Sequence, residues 1–151
     1  EIGTFTGFAT LAFAEVMPEN GKIITIEADK EIYEIAKTNV DESPWKNKVE
    51  MHLSNALEIL PNILSINQID LVFIDADKKN NINYYKIVRD NIKSGSLIIT
   101  DNILWKGMVL NENKDAQTKL IDDFNAYVKK DEKVDVIVLP IRDGLSIARK
   151  K

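Results

Sequence analysis

Apolar positions along this chain switch between two spacings, one suited to strands and one to helices. Short runs rich in β-branched residues occupy 22–27 (KIITIE), 48–53, 71–74 (LVFI) and 96–100 (SLIIT), each too short for a helix. Between them the apolar positions recur every three or four residues. Residues 8–17 (FATLAFAEVM) predict a strongly apolar helix stopped by Pro18, Asn20 and Gly21. Asp29 is placed to cap a helix over 30–40 whose stripe is Ile32, Ile35, Ala36 and Val40. Residues 55–64 predict a short helix that Pro61 either kinks or ends. Residues 81–92 predict a helix with Ile82, Tyr85, Val88 and Ile92 inward. Over 115–130, Leu120, Ile121, Phe124, Tyr127 and Val128 share one helical face. Residues 103–114 have no period and read as a loop. Two last strands, 134–141 and 145–149, flank Arg142-Asp143-Gly144, where the D-G pair signals a hairpin.

Strands alternating with helices predict an α/β fold: a mostly parallel sheet with helices on both faces, and an antiparallel strand added at one edge by the terminal hairpin. At 151 residues, 44% hydrophobic and 29% charged, the chain is expected to form a single domain over 1–151 with a substantial core. Glu1-Ile-Gly-Thr-Phe-Thr-Gly7 begins as though a strand had just ended, which predicts a first strand and further chain upstream. A net charge of −4 gives no electrostatic footprint for nonspecific nucleic-acid binding. With no cysteine and one histidine, disulfides, thiolate sites, zinc centres and Cys-His pairs are excluded, and His52 in a short strand reads as structural. The longest apolar runs fall short of a membrane span and no signal peptide is visible, so a cytoplasmic location is expected.

The candidate chemistry sits where two strands end. Leu71-Val-Phe-Ile74 runs into Asp75, Asp77 and Lys78, and the 96–100 strand runs into Asp101-Asn102. Open parallel sheets bind ligands outside the carboxyl ends of their strands. Asp75, Asp101 and Asn102 on one rim would form a partial oxygen shell for Mg²⁺ or Ca²⁺, although the same residue types also serve as caps and turn formers. Lys78, beside a cation in a dry cleft, would lose basicity and could accept a proton; otherwise it is a solvated lysine opening a helix. The turn bearing Gly3 and Gly7 differs from G-x-G-x-x-G. It allows close backbone approach ahead of a helix N-terminus, and Glu27 is placed to accept ribose hydroxyls, which suits a nucleoside without a diphosphate. A tight turn plus a surface acid would leave the same pattern. Tyr84 and Trp105 flank the rim segments, as core residues or as walls for a flat substrate ring.

Taken in order, Glu1-Ile-Gly-Thr-Phe-Thr-Gly-Phe8, Phe-Ile-Asp-Ala-Asp-Lys at 73–78, Asp-Asn-Ile-Leu-Trp at 101–105 and Asp-Gly-Leu-Ser-Ile-Ala-Arg-Lys at 143–150 resemble the cation-dependent, S-adenosylmethionine-dependent O-methyltransferases, the caffeoyl-CoA and catechol O-methyltransferases and their bacterial relatives. The resemblance spans the whole chain. It implies a Rossmann-like class I methyltransferase fold, with the family's N-terminal strand and helices lying outside this sequence. It also implies that Glu1, Gly3 and Phe5 line the methionine and ribose part of an S-adenosyl-L-methionine site. Glu27 would take the ribose and Ala56 would lie against the adenine. Asp75, Asp101 and Asn102 would hold a divalent cation, Mg²⁺ first and Ca²⁺ or Mn²⁺ as alternatives, with Asp75 also near the cofactor's amino group. Lys78 matches the general base, and Tyr84 and Trp105 match positions that border the acceptor. Asn55, Ala9 and Lys106 depart from the family's usual Asp, Ser and small or amide residue. The implied reaction is methyl transfer to a hydroxyl of a catechol-like small molecule, with 5-hydroxyuridine in tRNA as the alternative acceptor and a homodimer as the expected assembly. A non-catalytic nucleoside-binding module and a nicotinamide oxidoreductase are the competing classes.

Overall fold

The computed structural model describes residues 1–151, which divide into two compact units, 1–59 and 60–151. In the first unit, α1 (Phe8–Val16) leads to β1 (Ile23–Glu27), α2 (Lys30–Asp41) and β2 (Val49–Leu53), with β1 and β2 parallel from Ile23↔Val49 to Glu27↔Leu53. Residues 1–3 add a short parallel rung to β1: Ile2 bridges Ile26, the Ile26 N–H donates to the Glu1 carbonyl (3.1 Å) and the Gly3 N–H to the Ile26 carbonyl (3.0 Å). Asp29 caps α2 as the sequence implies, accepting the Glu31 and Ile32 N–H groups. The stripe of α2 is narrower than expected, because Ala36 and Val40 are buried while Ile35 is half exposed. Gly7 opens α1 at φ 84, a conformation open to glycine at no steric cost, and its own N–H closes a turn onto the Thr4 carbonyl. Apolar character on every side of α1 does not translate into full burial: Phe8 and Val16 are largely exposed.

α3 (Ala56–Ile66) starts in the first unit and runs into the second. Asn55 accepts the Leu57 N–H at its start. Pro61, expected to kink or stop the helix, sits inside it and the helix continues to Ile66. The second unit carries a four-stranded sheet in the order β3-β4-β6-β5, from β3 (Leu71–Ile74), β4 (Leu97–Asp101), β5 (Val134–Leu139) and β6 (Leu145–Lys150). β3 and β4 are parallel, β6 is antiparallel to β4, and β5 pairs antiparallel with β6. The reversed strand is therefore the inner one of the hairpin, and β5 forms the outer edge. This is the expected α/β class, with a parallel core and an antiparallel C-terminal hairpin.

α4 (Asn81–Asn91) buries Tyr84, Tyr85, Val88 and Arg89, whereas Ile82, expected inward, is only partly covered. α5 (Ala116–Lys129) buries Ile121, Phe124 and Val128. The expected loop at 103–114 instead contains 3₁₀ turns over Trp105–Leu110, interrupted by left-handed Lys106 and Gly107; no apolar period marks so short a helix. Arg89 reaches Asp131 at 2.5 Å, Tyr127 at 3.2 Å and Asp90 at 2.8 Å, and the Tyr85 hydroxyl also donates to Asp131. Burial pushes the Asp131 carboxyl up, but the Arg89 guanidinium, the Lys133 N–H and the Tyr85 hydroxyl outweigh it, so the net shift is downward.

Two outcomes follow from this packing. Asp131 has a folded pKa below its unfolded value, so its contribution is complete above the unfolded carboxylate pKa near ~4 and is lost as pH falls through the folded value. Asp131→Asn should cost about 3 kcal/mol at neutral pH in urea unfolding and flatten the acid limb of stability; an unchanged midpoint at pH 7 would rule the pair out as a stabilising contact. Gly144 (φ 80) has room for no side chain, since a Cβ there would lie 2.4 Å from Leu104 Cγ. Gly144→Ala should cost roughly 3 kcal/mol or more, read as a lowered thermal midpoint.

Candidate functional site

In the first unit a chain of hydroxyls fixes Glu1. The Thr25 hydroxyl donates to Glu1 Oε2 at 2.6 Å and Thr10 donates to the same oxygen. The Thr4 hydroxyl lies 2.6 Å from that of Thr25 and therefore donates to it. All three threonines are buried, which strengthens each link by removing competing water. The other carboxylate oxygen, Glu1 Oε1, is buried and accepts no hydrogen bond. A buried, unpaired carboxylate oxygen is costly unless a ligand donor completes it. Sequence reasoning placed Glu1 but missed the threonines, because hydroxyl residues in a strand and a helix carry no pattern that marks them.

Glu27, at the end of β1, accepts the Phe5 N–H on Oε2 (2.9 Å) and the Ala28 and Asp29 N–H groups on Oε1 (2.9 and 3.0 Å). That clamp holds the glycine turn, with Gly3 at φ 94 and Phe5 at φ 49, against the strand end, and Phe5 remains exposed. Ala56 is buried in the first turn of α3, and the Ser54 N–H donates to the Glu27 carbonyl. The structure thus brings Glu1, Gly3, Phe5 and Glu27 to one turn. The orphan Glu1 oxygen fits a cofactor that carries an ammonium group.

In the second unit the register of β3 on β4 pairs Ile74 with Thr100, so Asp75 and Asp101 leave their strands at matching positions. Lys78 lies in a 3₁₀ turn, Lys78–Asn80, and its ammonium is 2.9 Å from Asp75 Oδ1, with a side chain only 8% exposed. Burial pushes the Asp101 carboxyl up, and the charges of Asp75 and Asp143 add to that; the Asn102 N–H and Lys78 pull it back. Asn102 turns the chain at φ 60 and its N–H donates to Asp101 Oδ1 at 2.6 Å. Nowhere in the chain do three His, Cys, Asp or Glu side chains form a ready-made cation cage. A cation here would rest on two carboxylates and the Asn102 amide, an all-oxygen donor set with surplus negative charge that suits a hard divalent ion.

Of the two readings the sequence left open for Tyr84, the structure shows the core one. It is buried, and its hydroxyl donates to Asp77 Oδ1 at 2.5 Å while Asn80 donates to Oδ2 at 2.7 Å. Burial first, then the hydrogen bond to Asp77 and after it the Asp77 charge, raise the phenol well above its ordinary value. Tyr84 therefore braces the loop between Asp75 and Lys78, and its aromatic body is core. Trp105 is partly exposed at φ 47, at the start of the 3₁₀ segment. His52 pairs with Glu50 at 2.8 Å, in keeping with a structural role.

The sequence profile of the O-methyltransferase family matches residues 1–151. Caffeoyl-CoA O-methyltransferase 5 of Nicotiana tabacum is 32% identical over 161 residues, covering 99% of this chain and 67% of its own length. The chain spans about two thirds of the curated relatives it matches, falling to 62% for an Arabidopsis thaliana homologue. Among solved structures, the O-methyltransferase from Bacillus cereus in complex with SAH matches with a TM-score of 0.88 and 28% identity, over 99% of this chain and 72% of that one. TomG from Streptomyces achromogenes, an O-methyltransferase of tomaymycin synthesis in complex with SAM, matches with a TM-score of 0.87 and 25% identity, over 99% and 71%. With profile, sequence and fold in agreement over its whole length, this chain belongs to the S-adenosylmethionine-dependent O-methyltransferase family, alongside the caffeoyl-CoA O-methyltransferases.

Proposed function

We propose that the protein transfers a methyl group from S-adenosylmethionine to a hydroxyl of a catechol-like small molecule, with a divalent cation bound at Asp75, Asp101 and Asn102. The observation that carries this reading is the pair of strand-end carboxylates, Asp75 and Asp101, which the β3–β4 register brings out at matching positions beside a nearly buried lysine, the Asp75 charge helping burial to push Asp101 up. Like charges held at a strand rim are unfavourable in isolation, and a cation relieves them.

S-adenosylmethionine supplies the methyl group as a sulfonium substituent. A bound divalent cation supplies Lewis acidity that lowers the pKa of an acceptor hydroxyl. Glu1 accepts the amino group of the methionine moiety on Oε1, held in place by Thr10 and Thr25. Glu27 takes the ribose hydroxyls, and its backbone N–H partners keep its carboxylate from rotating. Lys78, in its neutral amine form, would take the acceptor's hydroxyl proton at Nζ, so that the transfer leaves a methyl ether, S-adenosylhomocysteine and the lysine ammonium. Opposite charges cancel in that step, so orientation within a dry site contributes more than charge alone. Trp105 walls the acceptor. The caffeoyl group for which the tobacco relative is named carries an aromatic vicinal diol, which favours a small catechol over 5-hydroxyuridine in tRNA.

Asp101→Ala should abolish metal-stimulated transfer to a catechol, and chelation should do the same to the wild type; turnover indifferent to both would remove the cation from the mechanism. Because the Asp101 pKa is raised, cation affinity should begin to fall on acidification above the usual carboxylate range, as read by calorimetric titration with Mg²⁺. Lys78→Met should lower kcat by about 100-fold or more while leaving the affinity for S-adenosylhomocysteine unchanged. Efficient transfer to tRNA with none to catechol would replace the acceptor and keep the chemistry.

A further inference from the structure

The segment after β4 adopts left-handed backbone at Asn102 (φ 60), Trp105 (φ 47), Lys106 (φ 54) and Gly107 (φ 80). Three of these four are not glycine, and each such residue is strained unless its surroundings fix it. The fixing comes from the hairpin turn between β5 and β6. Asp143 Oδ1 accepts the Lys106 N–H at 2.5 Å, and the Asp143 carbonyl accepts the Leu104 N–H at 2.9 Å. The Gly144 carbonyl accepts the Ile103 N–H at 3.2 Å, and Gly144 leaves no space between the turn and Leu104. From the side of α5, Asn125 donates to the Ile103 carbonyl at 2.8 Å. The D-G pair thus does more than reverse the chain: it carries an acceptor aimed at the loop that bears Asn102 and Trp105.

We propose that Asp143 is a positioning residue for methyl transfer, its carboxylate oxygen locking the left-handed loop so that Asn102 and Trp105 face the acceptor. The proposal rests on the methyltransferase reading above. What matters is an acceptor oxygen at that position, whether or not it is charged. Asp143→Asn keeps an oxygen there, Asp143→Glu keeps the charge but moves it by one methylene, and Asp143→Ala removes both.

The test measures kcat/KM for a catechol, the affinity for S-adenosylhomocysteine and amide hydrogen exchange at Lys106 in the intact protein and the three variants. Asp143→Ala and Asp143→Glu should lose about 10- to 100-fold in kcat/KM, keep the cofactor affinity and exchange the Lys106 amide faster, with Asp143→Asn restoring both. Wild-type kcat/KM in Asp143→Ala, or in Asp143→Glu where the alanine variant does not fold, would overturn the proposal. Equal losses in Asp143→Asn and Asp143→Ala would also overturn it, since charge or stability would then be responsible. A wild type that transfers no methyl group would sink the methyltransferase reading, and Lys106 exchange then decides the positioning claim alone. Exchange unchanged in Asp143→Ala overturns it, and fast exchange reversed by Asp143→Asn supports it.

Discussion

The site in the second unit depends on the register of one parallel strand pair. Leu71 lies opposite Leu97 and Ile74 opposite Thr100. Side chains alternate between faces, so a slip of one residue would send every one of them to the wrong side. With the observed register, Val72, Ile74, Ile98 and Thr100 are all buried, and the next residues out, Asp75 and Asp101, emerge at matching positions. The apolar burial that fixes the strands is therefore also what holds two carboxylates together. The push that Asp75 gives the Asp101 carboxyl is offset in part by Lys78, whose short tether from Asp75 keeps its ammonium at hand.

Around that pair the protein devotes buried polar groups to shaping loops. Asp77 is occupied by Tyr84 and Asn80, which fixes the turn between Asp75 and Lys78. Asp143, Gly144 and Asn125 do the same for the turn after Asp101. In the first unit Glu27 gathers three backbone N–H groups, and Thr10 and Thr25 are committed to Glu1, with Thr4 behind Thr25. Glu1, the turn from Asp75 to Lys78 and the turn after Asp101 thus each rest on residues assigned to no ligand. Such support is what lets loop-borne groups hold a geometry within fractions of an ångström.

Much of this was legible in the residues themselves. The alternation of strand and helix periods located all six strands and all five helices within a residue or two, because burial of one face imposes a period that survives in the sequence. Asp29 announced its helix, since a cap needs an acceptor at one fixed offset. Asp75, Asp101 and Asn102 could be picked out because acids directly after apolar runs fall at strand ends. Pro61 does not end its helix, because a proline inside a helix is tolerated when the rest of the helix buries enough apolar surface, and Leu60, Ile63 and Leu64 do so. Tyr84 stayed open between core and substrate wall because an aromatic at a helix start looks alike whether it turns inward or outward.

The sequence by itself determined the succession of elements, the strand-end carboxylates and the family, for these rest on local spacing and on motifs a few residues long. Only the tertiary structure decided which side chains serve each other: the three threonines under Glu1, Asp77 under Tyr84, Arg89 on Asp131, and Asp143 on the amide of Lys106. Those partners lie 7 to 42 residues apart in the chain, and none at a repeating interval. Hydrogen bonds join atoms that the fold brings within 3 Å, and no periodicity in the residues records which ones those will be.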